Sequence, residues 1–226
     1  MAGLGIPRSD LSASEGDHCL GAGDQLNRQI GALADADPAT HRVLLVESIA
    51  KITSKRWHRQ RAHFVIASMR RFASELTDAG FEVDHRRADS LRDGYAEHVA
   101  EFGPDEVVAT EPASWDGLEM LNDLDVTVVR SNQFLCHYDE FASWANSRKS
   151  FKMEDFYRQQ RKRLGYLMDP ESDGEEPVGG RWNFDDENRE PPPKGDVNPW
   201  ADPQTSQLDD LDRQVIADLE QAAGEH

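Results

Sequence analysis

The stretch RVLLVE, residues 42–47, decides the fold class of this sequence. Its four consecutive apolar residues, 43–46, show no alternation with polar ones, which predicts a strand that is buried on both faces, as in a parallel sheet. Further strands are predicted at FEVDHR (81–86), DEVVATEP (105–112) and DVTVVR (125–130).

Helical periodicity separates these apolar runs. Between residues 57 and 78, apolar residues at steps of three and four form one stripe: Ala62, Val65, Met69, Phe72 and Leu76. Shorter helices are predicted at 93–102, 115–124, 138–149 and 153–168. The first strand is assigned to DHCLGAGDQL (17–26) by its position, because glycines interrupt its apolar residues. The alternation predicts an α/β fold with an open parallel sheet of about five strands and helices on both faces.

The pattern changes at residue 169. Seven of the chain's eleven prolines fall within 169–207, which predicts a proline-rich and acidic linker. The final segment, 208–226, predicts an amphipathic helix, with an apolar stripe at Leu208, Leu211, Val215 and Leu219. Such a helix either docks on the preceding domain or begins another one. We therefore expect three parts, with boundaries at 1–168, 169–207 and 208–226.

The charge balance is strongly acidic, with 43 Asp and Glu against 25 Lys and Arg and a formal net charge of -18. A chain of this charge repels polyanions at long range, so contact with nucleic acid requires a local basic patch or a partner. The excess of acids fits a protein of a salt-adapted organism, or an ordinary acidic cytosolic protein. Thermal melts at increasing potassium chloride separate the two, because salt screens self-repulsion.

The two cysteines, Cys19 and Cys136, form no metal-binding spacing, and an iron–sulfur cluster needs four thiolates. We predict free, buried thiols in a reducing cytoplasm and no metal site. No apolar stretch approaches the ~18 residues of a membrane span, and the N-terminus has no apolar run of signal-peptide type. The sequence therefore predicts a cytoplasmic protein without contact to a membrane.

Candidate binding residues follow from the ends of the predicted strands, because open parallel sheets bind ligands beyond their carboxyl ends. Asp24, Gln25 and Glu47 could hydrogen-bond to hydroxyls or ring N–H groups. Other residues at these ends are Thr110, Glu111, Arg130 and Ser131. The alternative is that all of them are ordinary turn and cap residues. GAGDQL (21–26) lacks the third glycine of a dinucleotide fingerprint, and no Walker motif or catalytic nucleophile–base pair is legible.

A basic cluster stands out against the acidic background. Its members are Lys55, Arg56, Arg59, Arg61, Arg70 and Arg71. The cluster could receive a phosphate, or it could be the solvated face of a helix.

Several segments together resemble a known family. They are GDQLNRQIGAL, VLLVES, WHRQRAHFVIASMRRFASEL, EPASWDG, FLCHYDEFASWANSRKSFKMEDFYRQQRKRLGYLM and PVGGRWNFDDENREP, which span about residues 23–193. In this order and spacing they are similar to the N-terminal half of photolyase/cryptochrome-related proteins, in the prokaryotic iron–sulfur branch that includes six-four photolyases.

The resemblance implies a Rossmann-like antenna domain that can hold 6,7-dimethyl-8-ribityllumazine. Asp24, Gln25 and Glu47 match the family's pattern at the strand ends, and Val65 matches a small aliphatic position beside the chromophore. Lys51 and Ser54 stand where relatives place an acid and a tyrosine.

The resemblance also implies a helical half with FAD, four cluster cysteines and a lesion pocket, which we expect outside these 226 residues. Trp182 and Phe184 would then lie at the junction of the two halves. We expect the N-terminal domain of a deoxyribodipyrimidine photolyase or cryptochrome-related protein without catalytic residues of its own. Its partner would be a separately encoded helical FAD domain, through which alone it reaches DNA. The alternatives are a free-standing ligand-binding or interaction module and a non-functional remnant.

Overall fold

A computed structural model describes residues 16–53, 57–185, 194–195, 202 and 204–224. The chain divides into two compact units. Unit 1 lies within Met1–Gln133 and Ser206–His226, and unit 2 lies within Phe134–Thr205. None of the helices in the described ranges is long and apolar enough to cross a membrane.

Within the described part of unit 1, five strands form one parallel sheet in the order β3-β2-β1-β4-β5. The strands are β1 (Asp17–Gly21), β2 (His41–Ser48), β3 (Glu82–Ala88), β4 (Glu106–Thr110) and β5 (Thr127–Val129). The predicted α/β fold with a Rossmann-like parallel sheet is confirmed. β1 is the central strand and all five of its residues are buried, although its sequence, DHCLG, has little strand propensity.

The helices follow the predicted periodicities, with small shifts at their ends. They are α1 (Gly31–Ala34), α2 (Ile49–Thr53), α3 (Arg59–Asp78), α4 (Leu91–Phe102), α5 (Trp115–Asp123), α6 (Tyr138–Asn146), α7 (Met153–Leu164) and α8 (Asp210–Gly224). The sequence did not predict α1 and α2, because one turn of helix is too short to show an apolar period.

The side chains of β2 alternate between two apolar cores. Val43 and Leu45 join the core that packs against α3 and α8, whereas Leu44 and Val46 join the core beside α4 and α5. The sheet is therefore covered on both faces, which explains why RVLLVE has no polar positions in its middle.

α8 packs on α3 within unit 1. Val215 is fully buried in the core beside α3, and Leu211 and Leu219 pack against the same core. Basic residues of α3 pair with acidic residues of this segment. Arg59 pairs with Glu220 and His63 with Asp212, both in α8, and Arg71 pairs with Asp209, which directly precedes α8. The described part of the basic cluster therefore faces an acidic helix as well as solvent. Lys55 and Arg56 lie outside the described residues.

A chain of buried polar groups crosses the α4 face of the sheet. His98 Nδ1 lies 2.6 Å from the Asp84 carboxylate, and His98 Nε2 lies 2.6 Å from His18 Nδ1. Because the carboxylate only accepts, His98 donates through Nδ1 and accepts a hydrogen bond from His18 Nδ1–H. The Phe102 ring covers both imidazoles, and the Arg42 guanidinium lies 3.8 Å above that ring. His98 has no exposed surface, so both of its ring nitrogens depend on these partners within the protein.

Among the described residues, neither cysteine forms a disulfide. Cys19 of β1 is buried, and burial raises the pKa of its thiol to about 12, so it stays protonated at neutral pH. Cys136 is half-buried.

Unit 2 is built on α6 and α7. The rings of Phe141, Trp144 and Phe156 contact one another between these helices, at centroid distances of 5.0–5.7 Å. After α7, two 3₁₀ turns (Pro170–Ser172 and Val178–Gly180) shape the start of the segment that the sequence assigns to a linker.

Arg161 of α7 ties this segment to the helix. Its buried guanidinium donates to the backbone carbonyls of Tyr166, Leu167 and Trp182 and to the Tyr157 hydroxyl. The ties hold the chain that follows α7 close to the helix from which it emerges.

The two aromatic residues of GGRWNF differ in their surroundings. Trp182 is half-buried, and the cationic groups of Arg158, Arg161 and Lys162 lie 5.3–5.9 Å from its ring. Phe184 is 47% exposed, with the Arg181 guanidinium 4.7 Å above its ring. Trp182 therefore packs on α7 within unit 2, and Phe184 presents its ring to solvent.

Candidate functional site

The predicted site residues lie at the carboxyl edge of the sheet. Gly21 at the end of β1 pairs with Leu45 of β2, so the loop after β1 and the end of β2 run side by side. In this register, the loop that carries Asp24 and Gln25 runs alongside the end of β2, which carries Glu47. Val65 of α3 belongs to the same region, because it lies beside Gly23, where a Cβ atom would be 3.4 Å from Val65 Cγ1.

The side-chain amide of Gln25 hydrogen-bonds within the protein. Its buried amide nitrogen donates to the carbonyls of Thr110 and Glu111, at 3.4 and 3.0 Å. It thereby joins the loop after β1 to the end of β4. Asp24 differs from it, since its side chain is exposed and its backbone carbonyl accepts a hydrogen bond from Gln133 Nε2 at 3.4 Å.

Two further strand-end residues act as caps. Thr110 Oγ1 accepts a hydrogen bond from the backbone N–H of Ala32 at 2.9 Å, and Ser131 Oγ accepts one from Gln133 N at 3.2 Å. The contact at Thr110 is so close that a Cβ atom at Gly31 would lie 2.0 Å from its hydroxyl oxygen. For Thr110 and Ser131 the interpretation as turn and cap residues holds.

Glu47 is buried and lies at the centre of a cluster of charged side chains. Arg70 of α3 holds both of its carboxylate oxygens, with Nε at 2.7 Å and Nη2 at 2.9 Å. His85 Nε2 lies 3.0 Å from the same carboxylate, off the line of a good hydrogen bond, and Arg87 Nε lies 3.7 Å away. Burial favours the neutral acid, but Arg70 and His85 outweigh it and lower the pKa of Glu47 to about 2. The carboxylate is therefore ionised at any physiological pH.

Asp218 of α8 completes this cluster. Its carboxylate lies 2.7 Å from Arg70 Nη2 and 3.3 Å from Arg87 Nη1. Hydrogen bonds from Arg70, to Glu47 first and to Asp218, raise the pKa of its guanidinium. We name Glu47, Arg70, His85, Arg87 and Asp218 the Glu47 cluster. It joins β2, β3, α3 and α8.

A small cavity of about 30 Å³ lies beside the Glu47 cluster. Its wall is largely apolar and is contributed by Ile49, Ile52, Ile66, Leu219 and Ala222. The volume accommodates water, but it is far below the roughly 300 Å³ and more that sites for drug-sized ligands offer.

With this geometry established, comparison with known proteins assigns the family. Residues 19–226 match the family described as deoxyribodipyrimidine photo-lyase-related protein. The chain belongs to this family. It is also 36% identical over 181 residues to the (6-4) photolyase of Agrobacterium fabrum (strain C58 / ATCC 33970). The alignment covers 75% of this chain and 35% of that relative, so the chain spans about a third of the relative's length. This fits an N-terminal domain of a photolyase-related protein.

In this photolyase-related chain, two of the residues predicted to bind a ribityllumazine are held by other parts of the protein. Arg70 binds both carboxylate oxygens of Glu47, and the amide nitrogen of Gln25 donates to backbone carbonyls. Asp24 and Val65 keep exposed or half-exposed surface. Lys51 is exposed on α2, and Ser54 lies outside the described residues.

Sequence reasoning missed three members of the Glu47 cluster as site residues: His85, Arg87 and Asp218. It named Arg70 only as part of the basic cluster that could receive a phosphate. The missed residues come from β3 and α8, and Asp218 is 171 positions from Glu47 in the sequence. A usable signal existed in the complementary charge of two amphipathic helices, because bases recur along α3 and acids along α8.

Proposed function

We propose that this chain is the N-terminal, chromophore-binding part of a photolyase-related flavoprotein that acts on DNA in light. The observation that supports the proposal is that Asp24, Gln25 and Glu47 follow the ends of two neighbouring parallel strands, where such folds bind their ligands, with Val65 beside Gly23. Membership of the photolyase-related family supports it.

The proposed chromophore is 6,7-dimethyl-8-ribityllumazine, which would supply light absorption when bound. Asp24 would accept hydrogen bonds from ribityl hydroxyls, and Val65 would form an apolar wall for the ring. Because the described arrangement is closed, the ligand binds an open form. The apparent affinity is then the intrinsic affinity reduced by the fraction of molecules that are open.

Titration with the lumazine, followed by its fluorescence, tests this proposal in the parent chain and in Val65→Trp. We expect saturable binding in the parent and at least roughly tenfold weaker binding in the variant, because an indole at position 65 fills space beside Gly23. Phe64→Trp is the matched control, since Phe64 is the preceding residue on α3 and is 70% exposed. It should bind like the parent.

Equal binding in the parent and Val65→Trp would place the ligand elsewhere on the chain. No binding to any of the three proteins would reject the chromophore and favour the second candidate function.

The second candidate is an interaction module, and the surface of unit 2 favours it. Of the fourteen large apolar side chains that are exposed among the described residues, eleven lie in unit 2. Segment 134–168 also carries seven Lys and Arg against four Asp and Glu, in a chain of formal net charge -18. A surface with this much exposed apolar area is typical of a protein contact.

The partner that we propose for this surface is the helical FAD domain of a photolyase-related protein, and DNA would be reached through it. Co-elution of the chain with such a domain in size-exclusion chromatography tests the contact. We expect Phe151→Asp to abolish co-elution, because Phe151 is 66% exposed and a carboxylate in an apolar contact is costly. Trp115→Asp, at a 73% exposed residue of unit 1, is the control and should co-elute. Separate elution of the parent chain would reject this partner.

A further inference from the structure

The helix α8 places a carboxylate between two arginines at the edge of the sheet. Asp218 lies 2.7 Å from Arg70 and 3.3 Å from Arg87, as a bound anion would. Glu47 already balances one of these arginines from within the sheet. Asp218 therefore supplies the second negative charge of the cluster from a helix that lies far away in the sequence.

The same helix also supplies apolar surface at this place. Leu219 and Ala222 line the small cavity opposite Ile52 and Ile66. A small aromatic acid or an aromatic phosphate has the same two parts, a negative group and an apolar body. α8 thus occupies the edge of the sheet in the manner of a ligand.

Without α8 the remaining site is cationic and apolar. Arg70, Arg87 and His85 then face one carboxylate, that of Glu47, which leaves an excess of positive charge beside the isoleucine wall. Such a site favours anions that carry a flat apolar group.

α8 is attached by an apolar stripe and by ion pairs that differ in burial. Val215 is the residue of the helix that is fully buried. The pairs Arg59–Glu220 and Arg71–Asp209 are largely exposed, and exposed ion pairs contribute little to stability. The pairs His63–Asp212 and Arg70–Asp218 are much less exposed. Release of the helix from α3 therefore has to break these pairs together with the apolar contacts of Val215, Leu211 and Leu219.

We propose that α8 is a removable cover, and that the site beneath it takes a small anionic molecule with a flat apolar body in competition with Asp218. The proposal rests on the edge of the sheet that the proposed function also uses, but it does not depend on the lumazine.

The dye 1-anilinonaphthalene-8-sulfonate is a suitable probe, because it combines an anion with aromatic rings. We expect Val215→Asp to release α8, since a buried carboxylate in an apolar core is costly, and to bind the dye at least roughly tenfold more tightly than the parent chain does. Ala217→Asp is the matched control, because it adds the same charge at an exposed position of α8. It should bind the dye like the parent.

Two further measurements separate a defined site from a loosened core. Arg87→Gln in the Val215→Asp background should weaken dye binding severalfold, because it removes a positive charge from the site. Arg87 is 51% exposed and exposed ion pairs contribute little to stability, so the variant should remain folded. A synthetic peptide of residues 208–224 should displace the dye, and the same peptide with Asp218→Asn should displace it less well. The proposal would be overturned if Arg87→Gln left the affinity for the dye unchanged and the peptide did not displace the dye.

The remaining outcomes are also decisive. If hydrogen exchange shows that α8 stays docked in Val215→Asp, or is released without a gain in dye binding, α8 is not a removable cover. If Val215→Asp gains the dye but binds no lumazine, the cover stands and the lumazine part of the proposed function falls.

Discussion

Arg161→Met is expected to release the segment that follows α7, at a cost of about 3 kcal/mol, because hydrogen bonds to a charged group contribute ~1.5–3 kcal/mol each. Arg161 donates to three backbone carbonyls of this segment, and methionine fills its volume without a donor. The loss of stability affects unit 2, because Arg161 is the residue of α7 that is buried there.

Hydrogen exchange at two amides reports this release directly. Asp169 N–H donates to Glu176 O, and Val178 N–H donates to Leu167 O, both at 2.9 Å. Their exchange should become roughly a hundredfold faster in Arg161→Met. Arg158→Met is the matched control, because Arg158 is also on α7 near Trp182 but has a 45% exposed side chain that pairs with Glu154. Similar acceleration in both variants would show that the loss of positive charge beside Trp182, rather than the carbonyl contacts, is responsible.

Mild acid is expected to destabilise unit 1 through His18. Burial, followed by the charges of His98 and Arg42, lowers the pKa of His18 from 6.5 to about 4. Above pH 6.5 this histidine is neutral in both the folded and the unfolded chain, so it has no effect. Between pH 6.5 and 4, His18 binds a proton in the unfolded chain but stays neutral in the folded chain. The free energy of unfolding therefore falls with decreasing pH, by about 3 kcal/mol in total at 1.36 kcal/mol per pKa unit.

His18→Asn isolates this contribution from the carboxylates that also titrate in acid. The asparagine amide can replace His18 Nδ1–H as the donor to His98, but it does not titrate. Urea unfolding from pH 7 to 4.5 should show a loss of stability that is about 2 kcal/mol smaller in the variant than in the parent. His58→Asn, at the exposed N-cap of α3, should leave the parent's pH dependence unchanged. Parallel curves for the parent and His18→Asn would refute the role of His18.

The fold could be predicted where apolar residues repeat. β2 and β4 carry enough consecutive apolar residues to be recognised, and α3 shows its buried stripe over five turns. β1 could be placed only by its position, because glycines interrupt its apolar residues and because Asp17 and His18 add polar character. The structure supplies the missing reason: His18 is tolerated in a buried strand because His98 accepts its hydrogen bond. A contact across 80 residues leaves no pattern in the local sequence.

The candidate site was predictable in part for a similar reason. Glu47 could be found from the end of β2, because strand ends meet at one edge of a parallel sheet. The sequence could not show that Arg70 and Arg87 already hold its carboxylate, nor that Gln25 turns its amide toward Thr110 and Glu111. These contacts depend on how helices and loops pack, which strand periodicity does not determine.

The discontinuity of unit 1 along the sequence has a consequence for biosynthesis. A ribosome that adds ~5–20 residues per second delivers α8 on the order of ten seconds after α3, with all of unit 2 in between. During this interval the apolar groove that later holds Val215 faces the surroundings of the nascent chain. Chaperones that bind apolar segments would find this groove before α8 does. Translation that stops before residue 210 would leave it permanently open, so such fragments are expected to aggregate even when all five strands have paired.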